Sequence, residues 1–121
     1  MRRRKLLIAD DSEMNRAILA NVLDQEFEVI EATNGQEVII ALQSYGTQIS
    51  ALLLDIVMPE MDGFEVLEEM NRRHWIEDIP TIMISAETSN TYIDRAFELG
   101  ASDYISRPFV PGIVRRRIIN T

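Results

Sequence analysis

No cysteine occurs among the 121 residues. That absence excludes disulfides, thiolate zinc sites and a cysteine nucleophile, and it fits a reducing compartment. Aromatic residues make up only 7% of the chain, with four prolines and five glycines. Such a chain is neither collagen-like nor of low complexity. No apolar run approaches the ~18 residues of a membrane span. The basic start, Met1 to Lys5, has the charge of a secretory n-region, but only Leu6 to Ala9 follow before Asp10 and Asp11. A secretory apolar region needs about 7–15 residues. The chain is therefore expected to be cytoplasmic and to have no membrane partner. What remains is ordinary globular composition, 46% hydrophobic and 26% charged. One domain over residues 1–121 is expected, and it is large enough to bury about two-thirds of its unfolded surface.

The net charge is −8, unevenly spread: all 20 acidic residues lie between Asp10 and Asp103. That span holds only four basic residues, Arg16, Arg72, Arg73 and Arg95. An acidic body argues against direct nucleic-acid binding and favours cations or a basic partner. The Arg115 to Arg117 run covers several helix faces, because neighbours are ~100° apart, and reads as a solvated or partner-facing end.

Short apolar runs alternate with helical periods. Lys5 to Ala9 reads as a strand, and residues 12–25 as a helix capped by Asp11 or Ser12, with Met14, Ala17, Ile18 and Val22 on one stripe. A second strand is expected over 28–32. A second helix, about 35–45, turns in at Asn34-Gly35 and is closed by Gly46. Ala51 to Leu54 has the fully apolar character of a central parallel strand. Pro59 and Asp62-Gly63 mark a loop before a third helix, about 64–73. Pro80 to Ile84 reads as strand four, 89–99 as helix four, Tyr104-Ile105 as strand five and 110–119 as helix five. His74 and Trp75, after the third helix, read as a solvated helix end and a hydrophobic plug. Strict alternation implies an α/β fold, a five-stranded parallel sheet with helices on both faces.

Ligands of such sheets bind beyond the carboxyl ends of the strands. Asp10 and Asp11 follow strand one, Asp55 follows strand three, Ser85 follows strand four, and Ser106, Arg107 and Pro108 follow strand five. If strands one and three are neighbours, three carboxylates converge. Two carboxylates ~5 Å apart repel by roughly 3 kcal/mol at an effective dielectric of about 20. Three in one crevice call for protons or a metal. Oxygen donors without His or Cys suit magnesium, with Ser85 and Arg107 expected on its far side. Such a site can stabilise a phosphoryl group on a carboxylate.

Four stretches carry a family resemblance: Leu7 to Ser12, Leu54 to Gly63, Pro80 to Ala86 and Leu99 to Phe109. In this order and spacing the chain resembles the receiver domain of two-component response regulators, standing alone or cut from a longer regulator or hybrid histidine kinase. The resemblance implies the doubly wound, flavodoxin-like (βα)5 fold with strand order 2-1-3-4-5. It implies Asp55 as phosphoacceptor and Asp10, Asp11 and Asp55 as magnesium ligands, joined by the backbone carbonyl of Val57. Ser85 matches the switch hydroxyl and Tyr104 the aromatic switch position. Val57 and Glu87 match the positions that tune phosphoryl lifetime. A phosphohistidine on a sensor histidine kinase or phosphotransfer domain is the implied donor. An output domain, another partner or a second receiver is expected at the face of helix four, strand five and helix five.

Arg107 departs from the family, which usually has lysine there. Arginine is a planar fork on a longer stem, and lysine a compact point charge. The Arg107-Pro108 bond is expected to be cis by analogy. Such a domain catalyses only its own phosphotransfer and dephosphorylation and is not otherwise an enzyme. The alternative is a pseudo-receiver, a protein-interaction module that signals without phosphorylation. A magnesium phosphohydrolase typically carries Asp-X-Asp, and Asp55-Ile56-Val57 lacks the second acid. No G-x-G-x-x-G follows strand one, which argues against a dinucleotide enzyme.

Overall fold

Strand and helix alternate five times along the chain in the computed structural model, which describes residues 4–86 and 89–121. The elements are β1 (Arg4–Ala9), α1 (Glu13–Leu23), β2 (Phe27–Ala32), α2 (Gly35–Tyr45), β3 (Ile49–Asp55), α3 (Gly63–Arg72), β4 (Thr81–Ser85), α4 (Asn90–Glu98), β5 (Asp103–Ser106) and α5 (Pro111–Ile119). A short 3-10 turn, Gly46–Gln48, separates α2 from β3. The strands pair in parallel in the order β2-β1-β3-β4-β5. This is the doubly wound arrangement expected from the sequence.

The central runs are apolar throughout because both sheet faces are covered. Successive side chains point to opposite faces. Leu7, Ala9, Leu52, Leu54 and Met83 pack with α2, α3 and α4 residues, including Val38, Leu67, Met70 and Ala96. Leu6, Ile8, Leu53, Ile82 and Ile84 pack with Leu19 and Leu23 of α1 and Val114 and Ile118 of α5. Trp75 and Tyr104 are partly buried against the first cluster, so Trp75 is the plug the sequence suggests. His74 is exposed just beyond α3, with φ 61°.

The stripe expected on α1 is displaced. Met14 and Ile18 are exposed, at 72% and 40%, while Leu19 and Leu23 are buried. Apolar residues occur on most sides of this helix, so their spacing does not select the buried face. Ile113 of α5 is likewise half-exposed, and Val114 and Ile118 carry the packing.

Local chemistry sets the helix ends. The Ser12 hydroxyl accepts from the Asn15 N–H, and the Asn34 side chain accepts from Glu37 N–H. Gly46 closes α2 at φ 55°, a conformation that favours glycine. Asp62 and Glu65 form a reciprocal capping box at α3, with bonds of 2.9 and 3.2 Å. Asp62→Ala leaves the Glu65 N–H without its side-chain acceptor. It is expected to cost about 1 kcal/mol, measured by chemical denaturation.

Candidate functional site

The β1 and β3 strands are adjacent, so Asp10 at the end of β1 meets Asp55 at the end of β3. Asp11 completes the group. Carboxylate oxygens from all three lie within 4.8 Å of one another. Asp10 and Asp55 are buried, whereas Asp11 is exposed. Asp10 is tightly held: its Oδ1 accepts from the Ser12 N–H at 2.9 Å, and its carbonyl accepts from Arg16 Nη1 at 2.7 Å. Arg16 is itself fixed by Glu31, 3.0 Å from its Nε. Sequence reasoning did not assign Arg16 this role. Its rarity as a cation within the acidic body was the available signal.

Burial pushes the Asp55 carboxyl up to about 6. The Arg107 charge opposes that rise, the Asp10 charge adds to it, a hydrogen bond from the Val57 backbone opposes it, and the Asp11 charge adds again. Desolvation and like charge thus outweigh the one arginine.

An open cavity of about 300 Å³ stands over Asp55, lined by Asp11, Asp55, Val57, Ser85, Ala86 and Arg107. Ser85 is buried at the end of β4 and pairs in register with Ser106 of β5. The Arg107 N–H donates to the Ser85 carbonyl at 2.8 Å, anchoring the backbone from which the guanidinium extends. The Arg107-Pro108 bond is cis, as expected. Val57 is 64% exposed at the rim. Tyr104 lies on β5, away from this lining. Glu87 lies outside the described residues.

One expected placement is corrected. Arg107 is not on the far side of the acids. Its Nη2 donates to Asp10 Oδ2 and lies 3.5 Å from Asp55 Oδ2. The guanidinium stem is long enough to reach the β1 carboxylate from the end of β5. The terminal arginines are also less free than expected. Arg115 pairs with Glu26, and Arg117 pairs with both oxygens of Asp103.

Oxygen-only donors suit a hard cation such as magnesium. The residues fit one: Asp10, Asp11 and Asp55 converge, and even with Arg107 present the group carries excess negative charge.

A doubly wound parallel sheet with an acidic cluster at the β1/β3 switch point defines a class of α/β domains that bind ligands at the carboxyl ends of their strands. Residues 6–119 match the family model for the response regulator receiver domain, and the chain belongs to that family. It is 40% identical over 114 residues to response regulator RR06 of Streptococcus pneumoniae, covering 93% of this chain and 50% of that protein. It is 39% identical over 116 residues to transcriptional regulatory protein SrrA of Staphylococcus aureus, covering 94% of this chain and 46% of that protein. The chain thus spans about half the length of the curated relatives it matches. Among solved structures, chemotaxis protein CheY4 of Vibrio cholerae superposes with a TM-score of 0.88 at 26% identity, covering 98% of both chains. The CheY chain of a CheX-CheY-BeF3-Mg complex from Borrelia burgdorferi gives 0.86 at 29% identity, covering 96% of this chain and 87% of that one. No helix among the described residues is long and apolar enough to cross a membrane.

Proposed function

We propose that the domain is a phosphorylation-dependent switch that accepts a phosphoryl group on Asp55 from a phosphohistidine of a sensor histidine kinase or phosphotransfer domain. The carrying observation is the convergence of Asp10, Asp11 and Asp55 beneath a cavity that Ser85 and Arg107 also line. An Asp55 oxygen attacks phosphorus in line. The new P–O bond forms as the P–N bond breaks, and the leaving imidazole takes the electron pair. The reacting Asp55 is ionised, so its elevated pKa makes transfer slower below about pH 6. Ser85 donates its hydroxyl to a phosphoryl oxygen, and Arg107 offers its guanidinium to the others. Magnesium held by Asp10, Asp11, Asp55 and the Val57 carbonyl supplies charge neutralisation when bound. The Borrelia CheY structure, which names BeF3 and magnesium, supports this assignment by similarity.

Once phosphorylated, Asp55 carries extra negative charge. Ser85 and Arg107 shift toward it, and Tyr104 repacks inward on β5. This alters the face of α4, β5 and α5, where Phe97 and Ile113 are exposed. An output domain or a second copy of the chain binds there, in the cytoplasm. Val57 and Glu87 set the lifetime by flanking the path of attacking water.

The test is intact mass after incubation with acetyl phosphate and magnesium. A base-labile phosphoryl adduct that needs magnesium and is lost in Asp55→Asn is expected. An adduct that survives this substitution overturns the assignment of Asp55. No adduct and no magnesium binding favours the pseudo-receiver instead.

A further inference from the structure

We propose that Arg107 is a built-in counter-ion that must release Asp10 before a divalent cation binds, so that metal binding and the Arg107–Asp10 pair exclude one another. This rests on the metal site of the function proposed above.

Both oxygens of Asp10 are already engaged. Oδ1 accepts from the Ser12 N–H at 2.9 Å, and Oδ2 accepts from Arg107 Nη2. The same Nη2 stands 3.5 Å from Asp55 Oδ2. One guanidinium nitrogen therefore sits between two of the three carboxylates that would ligate the metal. Asp10 is 2% exposed, which leaves little room for a cation to approach Oδ2 around the arginine. A hydrated divalent ion and a guanidinium at this point also repel each other.

The arginine has somewhere to go. Its backbone is tied to Ser85, so release is a side-chain movement about a fixed origin. Its side chain borders the cavity over Asp55, which Ser85 also lines. Its Nε is buried without a hydrogen-bond partner. Phe109 offers a ring face 6.0 Å from the guanidinium carbon. Displacement from Asp10 therefore frees Nη2 and leaves Nε available as a further donor for the phosphoryl group that arrives at Asp55. The metal then does two things to one side chain. It takes over Asp10, and it releases the planar fork that suits phosphoryl oxygens. By linkage, whatever factor the Arg107–Asp10 pair takes from metal affinity, the metal takes from the pair.

The test is magnesium binding to the 121-residue chain by isothermal titration calorimetry at fixed ionic strength, for wild type, Arg107→Gln and Asp11→Asn. Arg107→Gln is expected to bind magnesium about tenfold more tightly, and Asp11→Asn more weakly. The wild-type protein supplies a second readout by nitrogen NMR of the arginine side chains. The Nη hydrogens of Arg107, held apart while the guanidinium is paired, are expected to average together along the magnesium titration with the calorimetric midpoint. Equal or weaker affinity in Arg107→Gln, or Nη signals unchanged at saturating magnesium, overturns the proposal. If Asp55 is still labelled in that case, only the role of Arg107 falls. If no variant binds magnesium and Asp55 takes no phosphoryl group, the function proposed for the site falls with it.

Discussion

Asp55→Asn is expected to melt higher than the wild-type protein at pH 7 in the absence of divalent cations. The folded-state pKa of Asp55 is raised to about 6 from the ordinary carboxyl value of 3.8. Between these values the folded state holds a proton that the unfolded state has lost. Stability therefore falls as pH rises from about 4 to about 6 and is then level. Asparagine is neutral throughout and escapes that penalty. Two pH units would correspond to nearly 3 kcal/mol, and solvent screening at an open site reduces this to about 1–2 kcal/mol. For a domain of this size that is a rise of about 4–8 °C. The gain is expected to vanish near pH 4, where both side chains are neutral. Magnesium is expected to narrow the difference at pH 7, because a ligand of the folded state stabilises the wild type by mass action. Calorimetric melting of both proteins at pH 4 and pH 7 checks this. A variant that melts lower at pH 7 would mean that the Arg107 contact, 3.5 Å from Asp55, outweighs desolvation.

The same group explains why so much of the site could be read from sequence. Runs such as Leu6-Leu7-Ile8-Ala9 and Ala51-Leu52-Leu53-Leu54 are apolar because two sheet faces are covered, and an aspartate at their ends is conspicuous against them. Parallel strands all run the same way, so their last residues collect at one sheet edge. Their common direction puts Asp10, Asp55 and Ser85 at the same end of the sheet, and the strand order that makes β1 and β3 neighbours is legible only through the family resemblance. Side-chain reach is not legible. Whether Arg107 meets Asp10 or the opposite wall depends on rotamers and on the anchor at Ser85, neither of which leaves a sequence pattern. The pairs Arg115–Glu26 and Arg117–Asp103 join residues distant in sequence and were similarly hidden. On α1, Met14, Ile18, Leu19 and Leu23 are all apolar, and periodicity alone placed Met14 and Ile18 inward. The protein leaves these two exposed and buries Leu19 and Leu23.

Gly63 was legible only as a turn residue, yet it is a steric requirement of the site. It is the first residue of α3, and its N–H donates to the Ile56 carbonyl at 2.8 Å. A Cβ at this position would lie 2.4 Å from the Asp55 carbonyl oxygen and 2.9 Å from Ile56 Cα. Both are backbone atoms at the end of β3, so they cannot swing aside as a flexible side chain would. Either α3 lifts off the sheet or the Asp55 segment moves. Gly63→Ala is therefore expected to destabilise by about 3 kcal/mol, within the cost of overpacking a core, and to lower the melting temperature by about 12 °C. Gly112→Ala supplies the control, since no atom lies within 4 Å of its added Cβ. It sits within α5, where alanine is the better helix former, and is expected to stabilise by up to about 1 kcal/mol. The two substitutions add the same methyl group with opposite sign. Phosphoryl labelling separates displacement from simple unfolding. In Gly63→Ala the rate with acetyl phosphate is expected to fall further than the unfolded fraction accounts for, because Asp55, the proposed acceptor, is intact but misplaced against Asp10 and Asp11. If Gly63→Ala melts within a degree of the wild type, the junction of β3 and α3 relaxes freely and does not fix the position of Asp55.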